Sequence, residues 1–254
     1  MTAKACAQRI AEDLNALGIR PGLTILVHAS FKALGPVPGG IETVIQGLLR
    51  GIGPDGTLLM PALSWSLRPP AVFDLLRTPS IVGAVPETFR TRPGTHRSLH
   101  PTHSVCAVGP RTEELLDDHG LDHTPCGPHS PFHKLLETEG LIVMLGCGLA
   151  PNTSLHALEE YVEPPYLYGP SFVFSLRDEH GRLTRQEYRT HGFSTHGYLQ
   201  RYTRVADLED RSFLRGGPVL QAAVFVLDAP RLKRAALAAL SANPYFFVER
   251  RAGP

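Results

Sequence analysis

The sequence has no apolar run approaching the ~20 residues needed to cross a bilayer, so no membrane-spanning helix is expected. It is poor in cysteine: Cys6, Cys106, Cys126 and Cys147 are widely spaced, with no C-x-x-C pair. That density excludes a secreted disulfide framework and favours reduced thiols. It also lacks an excess of charge of either sign. The 25 Lys and Arg against 24 Asp and Glu leave a formal net charge of +1, which offers neither a basic face for nucleic acid nor a polybasic membrane anchor. Met1 to Leu17 breaks its apolar positions with Arg9, Glu12 and Asp13. A signal peptide needs an unbroken apolar core there, so a soluble cytoplasmic protein is expected.

What is present is enough apolar residue, 43% of the chain, to build one sizeable domain over residues 1–254. The 24 glycines and 23 prolines point to ordered loops, where binding chemistry usually sits. Residues 3–17 read as an amphipathic helix closed by Gly18, and TILVHAS at 24–30 as a buried strand. Residues 41–52 carry apolar positions at helical spacing, and TLLMPAL at 57–63 is the next strand. This β–α–β order predicts an α/β fold with a partly parallel sheet. A helix at 85–91, a strand at 105–108 and helices at 112–118 and 131–138 follow, then the strand LIVML at 141–145. A helix at 153–162 is capped by Asn152. Beyond it the pattern predicts a hairpin around 178–181, a helix over 198–208, a strand at 219–227 and a helix at 231–242.

Three loops carry chemistry. The glycine-rich stretch from Ser30 to Gly40 ends a strand and feeds a helix N-terminus, which suits a phosphate, with Lys32 adding charge. It matches neither the P-loop nor the dinucleotide fingerprint, and an ordinary glycine turn is the other reading. The run from Arg97 to Ser104 places several donors before a strand, fit for amide or phosphate contacts or for a plain polar loop. On the helix at 153–162, Thr153, His156 and Glu159 are spaced i, i+3, i+6 and share a face. A carboxylate beside an imidazole fixes its tautomer, as a general base for an amine or thiol requires; a solvated face with an incidental ion pair is the alternative.

The 12 histidines raise the question of a metal. The near neighbours His119/His123, His129/His133 and His191/His196 match no specific ligand signature, so no metal is expected. His191 and His196 flank a loop that could border a substrate site. A metal-dependent hydrolase using these histidines stays open as an alternative.

In order along the chain, Val27 to Gly35 with Val37 and Gly39-Gly40, then Gly53 to Pro61, then Arg97, His100-Pro101 and Ser104, resemble the aminoglycoside 3-N-acetyltransferase family. The likeness continues through Ala107, Gly109, Ser130-Pro131 and Lys134-Leu135. It is most specific at Leu145-Gly146, Asn152-Thr153, Leu155-His156 and Glu159, and is collinear over residues 5–165. Gly146-Cys147-Gly148 and Cys126-Gly127-Pro128 suggest a divergent branch.

The resemblance implies a three-layer α/β/α fold with a mixed, partly parallel central sheet, and acetyl-CoA as cosubstrate. Contacts to the cofactor would come from Ser30, Phe31, Lys32, Gly35, Val37, Pro38, Gly39, Ser64, Arg97, His100 and Ser104. Transfer would be direct, with His156 as general base, Glu159 orienting it and Thr153 stabilising the oxyanion. The acceptor pocket would lie at about 160–215. There Glu160 and Glu163 would attract a cationic amino sugar and His191 would border it. The partners are thus acetyl-CoA and a small-molecule amine, with no nucleic acid or membrane, in a monomer or homodimer. A biosynthetic amine is the alternative acceptor.

Overall fold

The computed structural model describes residues 1–251. Its helices are α1 (Ala3–Ala16), α2 (Gly40–Ile52), α3 (Ala84–Thr91), α4 (Thr112–Leu116), α5 (Pro131–Glu137), α6 (Ser154–Val162) and α7 (Ala229–Ala242). Its strands are β1 (Thr24–Ala29), β2 (Thr57–Pro61), β3 (Val72–Asp74), β4 (His96–Arg97), β5 (Val105–Val108), β6 (Gly140–Leu145), β7 (Tyr168–Arg177), β8 (Leu183–His191), β9 (Tyr198–Gln200), β10 (Leu214–Val219), β11 (Ala222–Asp228) and β12 (Val248–Arg250).

Seven strands form the central sheet in the order β10-β11-β6-β1-β2-β5-β4. β1 runs parallel to both β2 and β6, while β5 pairs antiparallel with β2, and β11 with β6. The expected mixed sheet is therefore present: a parallel centre with antiparallel flanks. Side chains alternate between two cores. Ile25, Val27, Leu58, Met60, Val143 and Leu145 join the layer of α1, α2 and α3. Leu26, Leu59, Ile142 and Met144 join that of α5, α6 and α7. Helices on both faces explain why β1, β2 and β6 read as continuous apolar runs. A second sheet, β3-β7-β8, buries Phe73, Phe174, Leu176 and Tyr188, and β9 pairs with β12.

Two expectations fail in the last third. Residues 198–208 are not one helix: Tyr198–Gln200 is strand β9, paired with Val248–Arg250, and Tyr202–Asp207 is a short 3₁₀ turn. Tyr202 and Val205 are buried there, and cross-strand pairing outweighs local helical spacing. The strand expected at 219–227 straddles a hairpin turn at Leu220-Gln221, with Val219 ending β10 and Ala222 opening β11. The Gly216-Gly217-Pro218 sequence of β10 looks like a loop. Proline is tolerated because β10 is an edge strand.

α1 and α2 pack closely because Gly47 faces Ile10. Gly47→Ala is expected to lower the melting temperature, although alanine is favoured in a helix by about 1 kcal/mol. Its Cβ would lie 2.6 Å from Ile10 Cγ2 and 2.7 Å from Ile10 Cβ, and overpacking costs about 1–3 kcal/mol. A Cβ at Gly51, one turn on, meets nothing closer than 3.5 Å, so Gly51→Ala is expected to raise the melting temperature. Thermal unfolding of the two variants checks the pair, and a Gly47→Ala protein as stable as the parent would refute the packing argument.

Candidate active site

The parallel strands β6, β1 and β2 end at one rim, and the incoming end of β5 meets them there. Open α/β sheets bind ligands at such a rim. A pocket of about 460 Å³ opens at this rim. Its wall includes His28 and Ala29 from the end of β1, Pro61 and Leu63 at and beyond the end of β2, and His103 before β5. Cys147, Asn152, Thr153 and His156 come from the β6–α6 connection and α6 itself, and His191, Gln200 and Tyr202 from the last third of the chain. Gly146 makes the junction possible. Its φ is 71°, and an added Cβ would lie 2.6 Å from Ala33 Cβ, so glycine lets the loop after β1 close over the end of β6.

The cap of α6 falls one residue later than expected, at Thr153, and Asn152 stands just ahead of it, its Oδ1 accepting from the Ser154 N–H at 3.2 Å. Thr153 and His156 then face the pocket, while Glu159 turns beneath it and is fully buried. The direct approach of His156 Nδ1 to Glu159 Oε2, 3.6 Å, is too long for a hydrogen bond. The link runs through Tyr202, whose hydroxyl lies 2.6 Å from His156 Nδ1 and donates to Glu159 Oε2 at 2.6 Å. Tyr166 donates to the other carboxylate oxygen at 2.8 Å. Burial and the nearby Glu159 carboxylate hold the Tyr202 phenol well above its usual range, so it stays a donor. In the tautomer this selects, His156 carries its proton on Nδ1 and presents a lone pair at Nε2. Tyr202 lies 46 residues from His156, in the segment whose spacing predicts a helix. No local signal marks it.

His191 lies on the pocket wall. Its Nε2 lies 2.9 Å from Glu160 Oε1. The two expected acceptor carboxylates do not face the pocket. Glu160 is 4% exposed and accepts from the Thr124 hydroxyl, the Cys126 N–H and His191. Burial pushes its pKa up to about 7, and it acts on the pocket only through His191. Glu163 is exposed at the C-terminus of α6 and lies off the wall.

Four of the expected cofactor contacts are spent inside the protein. Arg97 donates to the Ser104 hydroxyl and to the carbonyls of Ala62, Leu75 and Thr78. His100 and Ser104 are fully buried, on Thr124 O and Ala62 O respectively, and Ser64 donates to Pro101 O. Donors placed before a strand look alike in sequence whether they meet a ligand or backbone carbonyls. The loop from Ser30 to Gly39 follows the pocket-lining Ala29. Lys32 is exposed in it, Phe31 and Val37 are half-buried, and Gly35 and Gly39 both have positive φ.

The histidines that are near neighbours in sequence form no ligand set among the described residues. His129 Nδ1 pairs with Asp122 Oδ1 at 2.9 Å and His196 Nε2 with Tyr168 O. Instead one ring nitrogen from each of His103, His156 and His191 lies within 4.8 Å of the others. Burial, foremost, and neighbouring imidazoles keep His103 and His191 well below the usual histidine range.

Comparison with known proteins follows this geometry. The family model described as aminoglycoside 3-N-acetyltransferase matches residues 26–241. The chain is 33% identical over 246 residues to aminoglycoside N(3)-acetyltransferase IV of Salmonella sp, covering 95% of this chain and 89% of that protein. It is 37% identical to aminoglycoside N(3)-acetyltransferase VIII of Streptomyces fradiae over 65% of this chain and 63% of that one. Among solved structures, aminoglycoside acetyltransferase AAC(3)-IVa superposes with a TM-score of 0.80 at 28% identity, over 95% of this chain and 90% of that one. The binary complex of AAC-IIIb with CoASH gives 0.78 at 27% identity, over 100% and 99%.

The fold and the relatives are those of a CoA-dependent acetyltransferase with a three-layer α/β/α architecture. The chain belongs to the aminoglycoside 3-N-acetyltransferase family, which sets the hydrolase reading aside.

Two predictions concern the frame of the site. Arg97→Met is expected to cost about 3 kcal/mol or more, since it removes a charged donor and strands buried carbonyls; equilibrium denaturation measures it, and a change near zero would show that the carbonyls are satisfied otherwise. His28, which lines the pocket, has its pKa lowered to about 3 by burial. Below the unfolded value near 6.5, the unfolded chain takes up a proton that the folded one refuses. Stability is therefore full above about pH 6.5 and falls as pH drops toward 3, by about 2 kcal/mol at pH 5 for this group. The melting temperature of His28→Gln is expected to fall less between pH 6.5 and 5 than that of the parent, and parallel curves would contradict this account.

Proposed function

We propose that the protein transfers the acetyl group of acetyl-CoA directly to an amine of an aminoglycoside or related amino sugar, with His156 as the general base. The observation that carries this reading is the relay from His156 through the Tyr202 hydroxyl to the buried Glu159 carboxylate. An amine that is protonated near neutral pH must lose a proton before it attacks. His156 Nε2 would take it, and the imidazolium would be stabilised through Tyr202 by Glu159. The amine nitrogen forms a bond to the thioester carbonyl carbon and the C–S bond breaks; one proton passes to the departing thiolate of CoA, and the nitrogen sheds its second proton to solvent as the amide forms. Thr153, at the N-terminus of α6, would donate to the oxyanion as charge develops on the carbonyl oxygen. A well-placed donor of this kind is worth about 3 kcal/mol in the transition state. The cofactor arm would follow the loop from Ser30 to Gly39 into the pocket.

The acceptor class is supported by relatives. The solved complexes include a histidine-to-alanine mutant of AAC(3)-IVa with a gentamicin, TM-score 0.81 at 30% identity over 94% of this chain and 89% of that one. One observation favours the second reading, a less cationic biosynthetic amine. Among the described residues, the pocket wall holds neither Asp nor Glu, whereas a polycation is best met by exposed carboxylates.

His156→Ala is expected to lower acceptor-dependent acetylation by about 100- to 10,000-fold, and Tyr202→Phe by about tenfold or more. Both variants should keep their thermal stabilisation by acetyl-CoA. Product is read by mass spectrometry across a panel running from aminoglycosides to simple amino sugars and monoamines. Parent-like turnover in folded His156→Ala would end the general-base reading, and turnover confined to monoamines would select the second acceptor class.

A further inference from the structure

We infer that His103, His156 and His191 form a binding site for a zinc-type transition-metal ion, and that occupancy of this site silences the enzyme. The second clause rests on the general-base role of His156 proposed above; the first does not.

The three rings come from different parts of the fold: the turn before β5, the first turn of α6 and the end of β8. They converge on the pocket wall, with one nitrogen of each within 4.8 Å of the others. A tetrahedral zinc ion with imidazole bonds of about 2.0–2.1 Å holds its ligand nitrogens about 3.3 Å apart, so small side-chain movements close the set. One nitrogen of every ring already bonds an oxygen. His103 Nδ1 meets the Thr102 hydroxyl at 2.9 Å, His156 Nδ1 the Tyr202 hydroxyl, and His191 Nε2 the Glu160 carboxylate. An N–H donated from His103 Nδ1 to Thr102, from His156 Nδ1 to Tyr202 and from His191 Nε2 to Glu160 would leave lone pairs at His103 Nε2, at His191 Nδ1 and at His156 Nε2, the last of which also lies 3.3 Å from Gln200 Nε2. A metal-bound imidazole characteristically donates its other N–H to an oxygen in this way. The pair of His191 with the buried Glu160 is a carboxylate–histidine arrangement of that type.

Three imidazoles select zinc, copper or nickel over magnesium or calcium, which prefer oxygen. The pocket leaves room for a fourth ligand, a water or the acceptor amine. The consequence follows from a single lone pair. His156 Nε2 can accept the ammonium proton or bind the metal, not both. Metal and acceptor turnover therefore exclude each other.

The test begins with chelator-treated full-length protein. Cobalt(II) is added as a spectroscopic stand-in and zinc is titrated calorimetrically. The expected result is the visible absorption of four-coordinate cobalt and one zinc ion bound per chain. His103→Gln and His191→Gln should each abolish this binding, and Glu160→Gln should weaken it about 10- to 100-fold, with thermal unfolding confirming that each variant is folded. Inhibition by zinc is then read as acetylated product by mass spectrometry, since the thiol of CoA itself binds zinc, and is normalised to each variant's own metal-free rate. The parent should lose activity with the midpoint of the calorimetric titration, and variants that no longer bind should lose none at that concentration. No stoichiometric binding, or binding indifferent to His103 and His191, overturns the site. Stoichiometric binding that leaves turnover intact keeps the site and overturns the silencing.

Discussion

A buried carboxylate sets the terms for this structure. Glu159 is fully enclosed, and an isolated carboxylate in such surroundings costs several kcal/mol. Its two oxygens are met by phenols, Tyr166 on one and Tyr202 on the other. Both donors lie beyond α6 in the chain, so satisfying one side chain of that helix fixes the segments after α6 and after β9 against it. The same bonds that offset the burial of Glu159 bring Tyr202 beneath His156. Structural need and orientation of the imidazole are therefore met by one group, and neither can be changed alone.

The rest of the pocket is assembled around that anchor by topology. The parallel centre β6-β1-β2 delivers three strand ends to one rim, carrying Cys147, His28 and Leu63. The antiparallel β5 starts where these strands end, which is what places His103 among them. The smaller β3-β7-β8 sheet adds His191 at the end of its last strand. Burial holds His28, His103 and His191 below the usual histidine range, with neighbouring imidazoles adding to it at His103 and His191, which favours their neutral forms. Neutral rings with pinned tautomers have lone pairs in defined directions, and those lone pairs give the pocket its chemical character.

Much of this was legible in the sequence, and the reasons for the remainder are physical. The β1–α2–β2 unit, the strand at LIVML and the helix carrying Thr153, His156 and Glu159 announce themselves through local periodicity and caps. The partner of His156 does not, because Tyr202 is a tertiary neighbour whose own segment has competing helical spacing. Arg97, His100 and Ser104 show the converse problem. Their sequence states that donors are present but not which acceptor they meet, and in the fold they close the framework beside the pocket. The position of Glu160 next to Glu159 suggests a shared exposed cluster. A one-residue step on a helix turns a side chain by about 100°, so adjacent carboxylates need not share surroundings. Here one meets two tyrosines, and the other meets Thr124, Cys126 and His191.

The thiol on the pocket wall bears on how the acetyl group travels. Cys147 lies at the rim, and a cysteine in such a place is the natural competitor for an acyl group if it is a thiolate. Two features argue against that. Its Sγ lies 3.4 Å from the carbonyl of His28, so the thiol donates to an acceptor that does not take the proton. Burial raises its pKa to about 11, which leaves almost no thiolate near neutral pH. None of its hydrogen bonds is to an imidazole, although His28, His103, His156 and His191 share the wall with it. In the proposed mechanism His156 is the base, and an amine brought to it attacks the thioester without a covalent enzyme intermediate. A thiol held in this way does not compete for the acetyl group in the proposed direct transfer.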